Sequence, residues 1–255
     1  MTIQINYIFT LGYRCYSTDF IETHKLRKMS GPFDYLYIDF ETALTLINDK
    51  FNNFLNDIVL LNKNYKTIKL FYNKNTTTIN NNFYELLKND ITYMSQNYNC
   101  NNLFINQNYL DTNNLSNNLY NWKSICIFLH HDLLDNNIYK KIKMRCDRFT
   151  DILYKYNEST ALLYITKIIT CNNIIEYIDN IIETKKHFNI NAYIIMIINC
   201  DNIESSHYFY DIDKCLFIIR NVENYDTQNF KYKIDNSTDY ADELKIILQY
   251  FDFVK

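Results

Sequence analysis

Cys15 stands three residues after Gly12 and directly beside Arg14. If this stretch is a strand-to-helix turn, unpaired amides at the helix start and the neighbouring guanidinium both favour thiolate over thiol. The expectation is a thiol pKa below the free value of about 8.5, and so a competent nucleophile. Sulfur nucleophiles work with an imidazole within hydrogen-bond reach, itself oriented by a third group. His130 and His131 are the candidate bases. Adjacent side chains on an extended segment point to opposite faces, so one of the pair can meet Cys15; His131 is favoured because Asp132 lies beside it. Asp34, Asp132, Asn199 and Asp201 compete to be the orienting group, and Asp34 gains weight from its place in the Gly31 to Asp34 turn. Arg14, Arg145 and Arg220 could hold an anionic ligand. No HxH or HExxH spacing is present, so neither a metal nor another cofactor is expected.

These residues need elements to position them. Residues 3–11 read as a buried first strand. A helix from about 15 to 29 has acids early and bases late, as the helix dipole favours, with Gly31 and Pro32 stopping it. A second helix is expected from 40 to about 58, on the three-and-four spacing of Ala43, Leu44, Ile47, Phe51, Phe54, Leu55 and Ile58. Apolar strands at 125–129, 161–166, 192–199 and 215–220 alternate with helices at 136–156, 174–187 and 239–251. Strands apolar throughout, alternating with long helices, imply a mostly parallel sheet covered on both faces: a three-layer, Rossmann-like α/β fold. In such a sheet, ligands sit at the carboxyl ends of the strands. Gly12 to Cys15, His130 to Asp132, Asn199 to Asp201, and Arg220 all follow strands, so parallel strands would bring them to one edge.

Composition narrows the function. Among 255 residues there are two Gly and one Pro, where ordinary usage would give about 18 and about 13. Asn, Ile, Lys, Tyr and Phe dominate, as an A/T-rich genome would produce. Against that drift, a surviving Gly or Pro marks a place where the backbone requires it, and Gly12, Gly31 and Pro32 all fall in the first 32 residues. GxGxxG and GxxxxGK[ST] are absent, which argues against classical nucleotide binding. A net charge of -3 with no basic block gives no footprint for nucleic acid or an anionic membrane surface. No apolar run approaches a membrane span, and the first residues lack a signal-peptide pattern, so a cytoplasmic protein is expected, in host cytoplasm if viral. Seven cysteines without a CxxC pair read as thiols. Residues 62–120 are Asn-rich, expected as an insertion of long loops around short elements within a single 1–255 domain. The chain leaves the oligomeric state open.

The segments LGYRC (11–15), SGPFDYL (30–36), FLHHD (128–132) and RCDRF (145–149) before LLYIT together resemble a domain family of bacterial and large-DNA-virus proteins. That family carries a papain-like cysteine peptidase label and has no established function; Tyr35 stands where its pattern usually has Trp. The resemblance spans about 1–60 and 123–170. It implies Cys15 as nucleophile, a histidine at 130 or 131 as base and an aspartate as orienter, and it raises a papain-like α+β fold as the alternative to a parallel sheet. The leading expectation is a cysteine-dependent hydrolase acting on a peptide, glycan or small-molecule substrate. A glycan-related transferase binding an anionic donor, or a viral or host interaction module without catalysis, are the alternatives.

Overall fold

A computed structural model describes residues 2–12, 16–56, 58–62, 68–72, 75–79, 102–106, 126–128, 131–166, 169–170, 174–201, 203, 206–211, 213–221 and 240–254. The chain divides into two compact units, Met1–Asp34 with Asp151–Lys255, and Tyr35–Thr150. In chain order, the first unit opens with β1 (Ile3–Ile5), β2 (Tyr7–Thr10) and α1 (Tyr16–Thr23). The second holds β3 (Leu36–Ile38), α2 (Phe40–Asn48), β4 (Ile58–Asn62), β5 (Ile68–Tyr72), β6 (Asn75–Ile79), β7 (Asn102–Asn106), β8 (Cys126–Phe128) and α3 (Asn136–Thr150). The first resumes with a π-helical turn (Asp151–Lys155), β9 (Thr160–Ile165), β10 (Ile169–Thr170), α4 (Ile174–Phe188), β11 (Tyr193–Asp201), β12 (His207–Asp211), β13 (Cys215–Asn221), α5 (Ala241–Tyr250) and β14 (Phe251–Phe253).

The first unit is built on a sheet in the order β12-β13-β11-β9-β2. β2, β9, β11 and β13 run parallel, and β12 closes one edge antiparallel to β13. All six residues of β9 are buried, as are Ile194 to Ile198 of β11 and Cys215 to Ile219 of β13. Burial on both faces is what an all-apolar strand demands, since a polar residue on either side would lose its water. One face packs Ala161, Leu163, Ile165, Ile195, Ile197, Leu216 and Ile218 against Phe20 and Ile21 of α1 and Ile247 of α5. β1 pairs separately with β14. The parallel strands β2, β9, β11 and β13 follow chain order across the sheet, as an α/β fold with helical crossovers favours.

The second unit carries an antiparallel sheet in the order β3-β8-β7-β4-β5-β6. The chain is therefore a mixed α/β protein, with a parallel sheet in one unit and an antiparallel one in the other. Ile142, Cys146 and Phe149 form the buried face of α3, and Phe149 meets Phe51 edge-on at 5.6 Å while Phe54 packs on Phe128. Two expectations change here. The strand before His130 is β8, and it pairs antiparallel with β3 and β7 instead of joining β2 and β9. An apolar run of three residues does not say which sheet it joins, because both kinds of sheet can bury it. The expected strand 3–11 is two strands in different sheets.

Both early helices stop well before the expected positions, 29 from the charge pattern and Gly31–Pro32, and 58 from the apolar spacing. α1 ends at Thr23, where Lys25 takes φ 54°, its amide donating to Glu22 O and that of Leu26 to Ile21 O. α2 ends at Asn48, where Lys50 takes φ 53°, with Lys50 N bonded to Ile47 O and Phe51 N to Leu46 O. This is the Schellman pattern, which usually has Gly at its left-handed residue. Here lysine fills it, so no glycine marks the stop. Among the described residues, no helix is long and apolar enough to cross a membrane.

Candidate active site

β2 leads into α1 through a turn pinned at both ends. Leu11 extends the pairing with β9 by donating to Leu163 O at 2.8 Å. Gly12 then adopts φ 97°, a conformation that a side chain at this position would strain. Its amide donates to Thr10 Oγ1 at 3.0 Å, and its carbonyl accepts from Ser17 Oγ at 3.1 Å. Ser17, in the first turn of α1, also accepts from Ile165 N at the end of β9, at 3.1 Å. One buried hydroxyl thus ties the strand end, the turn and the helix start together. Tyr13, Arg14 and Cys15 lie outside the described residues, and Cys15 immediately precedes the first residue of α1.

The turn at Gly31 to Asp34 belongs to the same unit. Asp34 is 1% exposed, and its Oδ2 accepts from Arg27 Nη1 at 2.8 Å and from Gly31 N at 3.0 Å. Arg27 also pairs with Glu22 on α1. A Cβ on Gly31 would stand 3.0 Å from Phe9 Cδ1, so the close approach of β2 favours glycine here. Asp34 thus fastens this turn to the segment that follows α1.

Further along the carboxyl edge, Asn199 and Arg220 stand opposite each other on β11 and β13. Asn199 is buried; its side-chain amide donates to Thr166 O at 2.8 Å, and its backbone amide to Thr166 Oγ1 at 3.1 Å. Arg220 lies over the ring of Tyr240 at 4.6 Å, and its Nε is 3.4 Å from Glu243 Oε1. Burial of the Tyr240 phenol raises its pKa. Along the carboxyl edge, Arg220 is part-exposed, while Asn199, Thr166 and Ser17 are buried and hydrogen-bonded within the protein. Asp201 ends β11 beside Thr170, and its side chain is outside the described residues.

The remaining candidates belong to the second unit. His131 is half-buried, and His130 is outside the described residues. Asp132 is exposed and its Oδ1 accepts from Leu134 N at 3.0 Å, which gives it a turn-forming role at the entry to α3. Arg145 is half-buried on α3. The structure thus gathers Gly12, Asn199 and Arg220 along the parallel sheet, while His131, Asp132 and Arg145 sit on the other unit. Ser17, Thr166, Tyr240 and Glu243 had not been singled out in the sequence. Thr166 could have been found from its position just past a strand, like Asn199; nothing in the pattern around Tyr240 and Glu243 points to them.

A family model described as "putative papain-like cysteine peptidase" matches residues 6–202, well over half of the chain. The chain belongs to this family. No curated protein and no solved structure matches it. The match with the peptidase family begins at β2 and takes in the Gly12 turn, the Gly31 to Asp34 turn, the His130 to Asp132 segment and β11. It ends before β13 and α5, so Arg220, Tyr240 and Glu243 are features of this chain beyond the family match.

Proposed function

We propose that the protein is a cysteine-dependent hydrolase of peptides or related acyl compounds, with Cys15 as its nucleophile. The observation that carries this reading is the double clasp of Ser17 on Gly12 O and Ile165 N. It starts a helix directly after the carboxyl end of a parallel strand, and Cys15 is the residue before that start. The positive end of the helix dipole there favours the thiolate. The thiolate sulfur attacks the substrate carbonyl, and the imidazole of His131 or His130 takes up the thiol proton and delivers it to the leaving amine. Water then hydrolyses the thioester and restores the thiol. The amide of Gly12 is committed to Thr10 Oγ1, so oxyanion stabilisation falls to amides later in the turn. Asp132, next to His131 in the chain and accepting from Leu134 N, is the aspartate nearest in sequence to orient the imidazole.

Alkylation of Cys15 by iodoacetamide, followed against pH by mass-spectrometric peptide mapping, tests this. The expected midpoint lies below the free thiol value of about 8.5. A midpoint no lower than that, or unchanged peptide hydrolysis in Cys15→Ala, overturns the reading. Loss of hydrolysis in His131→Ala with His130→Ala retaining it, or the reverse, identifies the base.

A further inference from the structure

We propose that Arg220 is a pre-organised carboxylate-binding group at the carboxyl edge of the parallel sheet, so that the substrate carries an acidic side chain or a free C-terminal carboxylate. This rests on the hydrolase reading for the word substrate, and on the Arg220 cluster alone for the binding.

Arg220 is held from below and from one side, with 22% of its side chain open, while its partner Glu243 is 8% exposed. Glu243 takes the Nε edge, and the ring of Tyr240 lies under the guanidinium plane. Among the described residues, Glu243 is the carboxylate within ion-pair distance. A guanidinium has five N–H donors in a flat fork, and fixing its plane and one edge leaves the other edge aligned for two parallel bonds to a carboxylate. Such an arrangement lowers the ordering cost of binding, because the long side chain is already immobile. The buried Glu243 also makes the charge affordable in a part-buried site, since an unpaired guanidinium there would be strongly disfavoured.

Position supports a ligand role. Arg220 is opposite Asn199 in register, at the strand ends where open α/β sheets bind ligands, and in the same unit as the turn leading to Cys15. Asn199 is bonded through to Thr166, so the edge between Arg220 and β9 is a continuous run of fixed polar groups.

The test uses the full chain carrying Cys15→Ala, so that binding is read without turnover. The Arg220 Nε–H and Asn199 side-chain amide resonances are followed by NMR during titration with N-acetylglutamate α-amide, N-acetylglycine, N-acetylglutamine amide and inorganic phosphate. A saturable shift of both resonances with the first ligand identifies an acidic side chain, and with the second a C-terminal carboxylate; the neutral amide should produce none. In Arg220→Lys, which keeps the charge opposite Glu243 but loses the fork, the Asn199 shift should need about ten-fold more ligand. A paired Arg220→Met, Glu243→Gln variant, which leaves no unbalanced charge, should lose it. No saturable shift, an equal shift with the neutral amide, tighter binding of phosphate than of either carboxylate, or unchanged binding in both variants would overturn the proposal. Carboxylate binding without any Cys15-dependent hydrolysis would leave the site standing and remove the hydrolase reading; hydrolysis indifferent to substrate charge and to Arg220 would do the opposite.

Discussion

The Ser17 hydroxyl donates to Gly12 O and accepts from Ile165 N, so a single buried side chain fixes where α1 starts relative to β2 and β9. Ser17 is fully buried, and its removal would leave the Ile165 amide without this acceptor. Ser17→Ala should cost about 1–3 kcal/mol in urea unfolding. It should also slow the alkylation of Cys15 at neutral pH, because the helix start that favours the thiolate is no longer held. Wild-type stability together with wild-type labelling would show that the clasp does not fix the turn.

Gly31 is favoured by space rather than by backbone conformation. Its missing Cβ would sit 3.0 Å from Phe9 Cδ1, so the buried Phe9 ring would have to give by a few tenths of an ångström. Gly31→Ala should destabilise by about 1–3 kcal/mol, as small-to-large changes in packed cores do. The cost should shrink in a Phe9→Leu background. Additive effects of the two substitutions in a double-mutant cycle would place the strain elsewhere.

What the sequence revealed and what it hid follow from the same drift. β9, β11 and β13 could be read because continuous apolar runs have few alternatives to a buried strand, and Gly12 and Gly31 stood out because glycine is so scarce. Helix ends could not be read, because Lys25 and Lys50 occupy left-handed positions that glycine usually signals, and Asn157, Asn189 and Lys214 also adopt positive φ. β12 was missed because HYFYD is a largely exposed edge strand whose aromatic residues follow no simple alternation. Within the Asn-rich stretch, β6 (NTTTI), which pairs with β5, is too polar to announce a strand. At the site, strand-end residues were legible by position. The Tyr240–Glu243 support under Arg220 was not, because it comes from a helix start joined to the sheet only by tertiary packing.

The lysine at the end of α1 gives a stabilising substitution. Lys25 is exposed at φ 54°, where a Cβ crowds the backbone and glycine does not. Lys25→Gly should raise stability by about 1 kcal/mol, the relief of left-handed strain exceeding glycine's extra entropy in the unfolded chain. Lys25→Ala keeps the Cβ and should give no such gain. If Ala and Gly stabilise alike, removal of lysine's charge and not backbone strain is responsible.

The buried thiols of the second unit set a limit on alkaline stability. Burial pushes the Cys126 thiol well up, reinforced by Asp39 and by Cys146; burial also raises Cys146, with Asp147 adding to the effect. In the folded state both stay protonated, whereas in the unfolded chain they ionise above about pH 8.5. Above that pH the unfolded state therefore binds fewer protons than the folded one, and stability falls as pH rises. Each thiol contributes a slope of up to about 1.4 kcal/mol per pH unit once the unfolded thiol is ionised. Between pH 8.5 and about 9.5, below the ordinary tyrosine range near 10, the thiols should dominate the change. Urea unfolding across this window should give a falling stability in wild type and a flatter profile in Cys126→Ala, Cys146→Ala, whatever the cost of the cavities at a single pH. The same burial should keep both thiols unlabelled by iodoacetamide in the native protein, so that modification of Cys15 can be followed separately. An unchanged alkaline slope in the double variant would mean that other groups govern it.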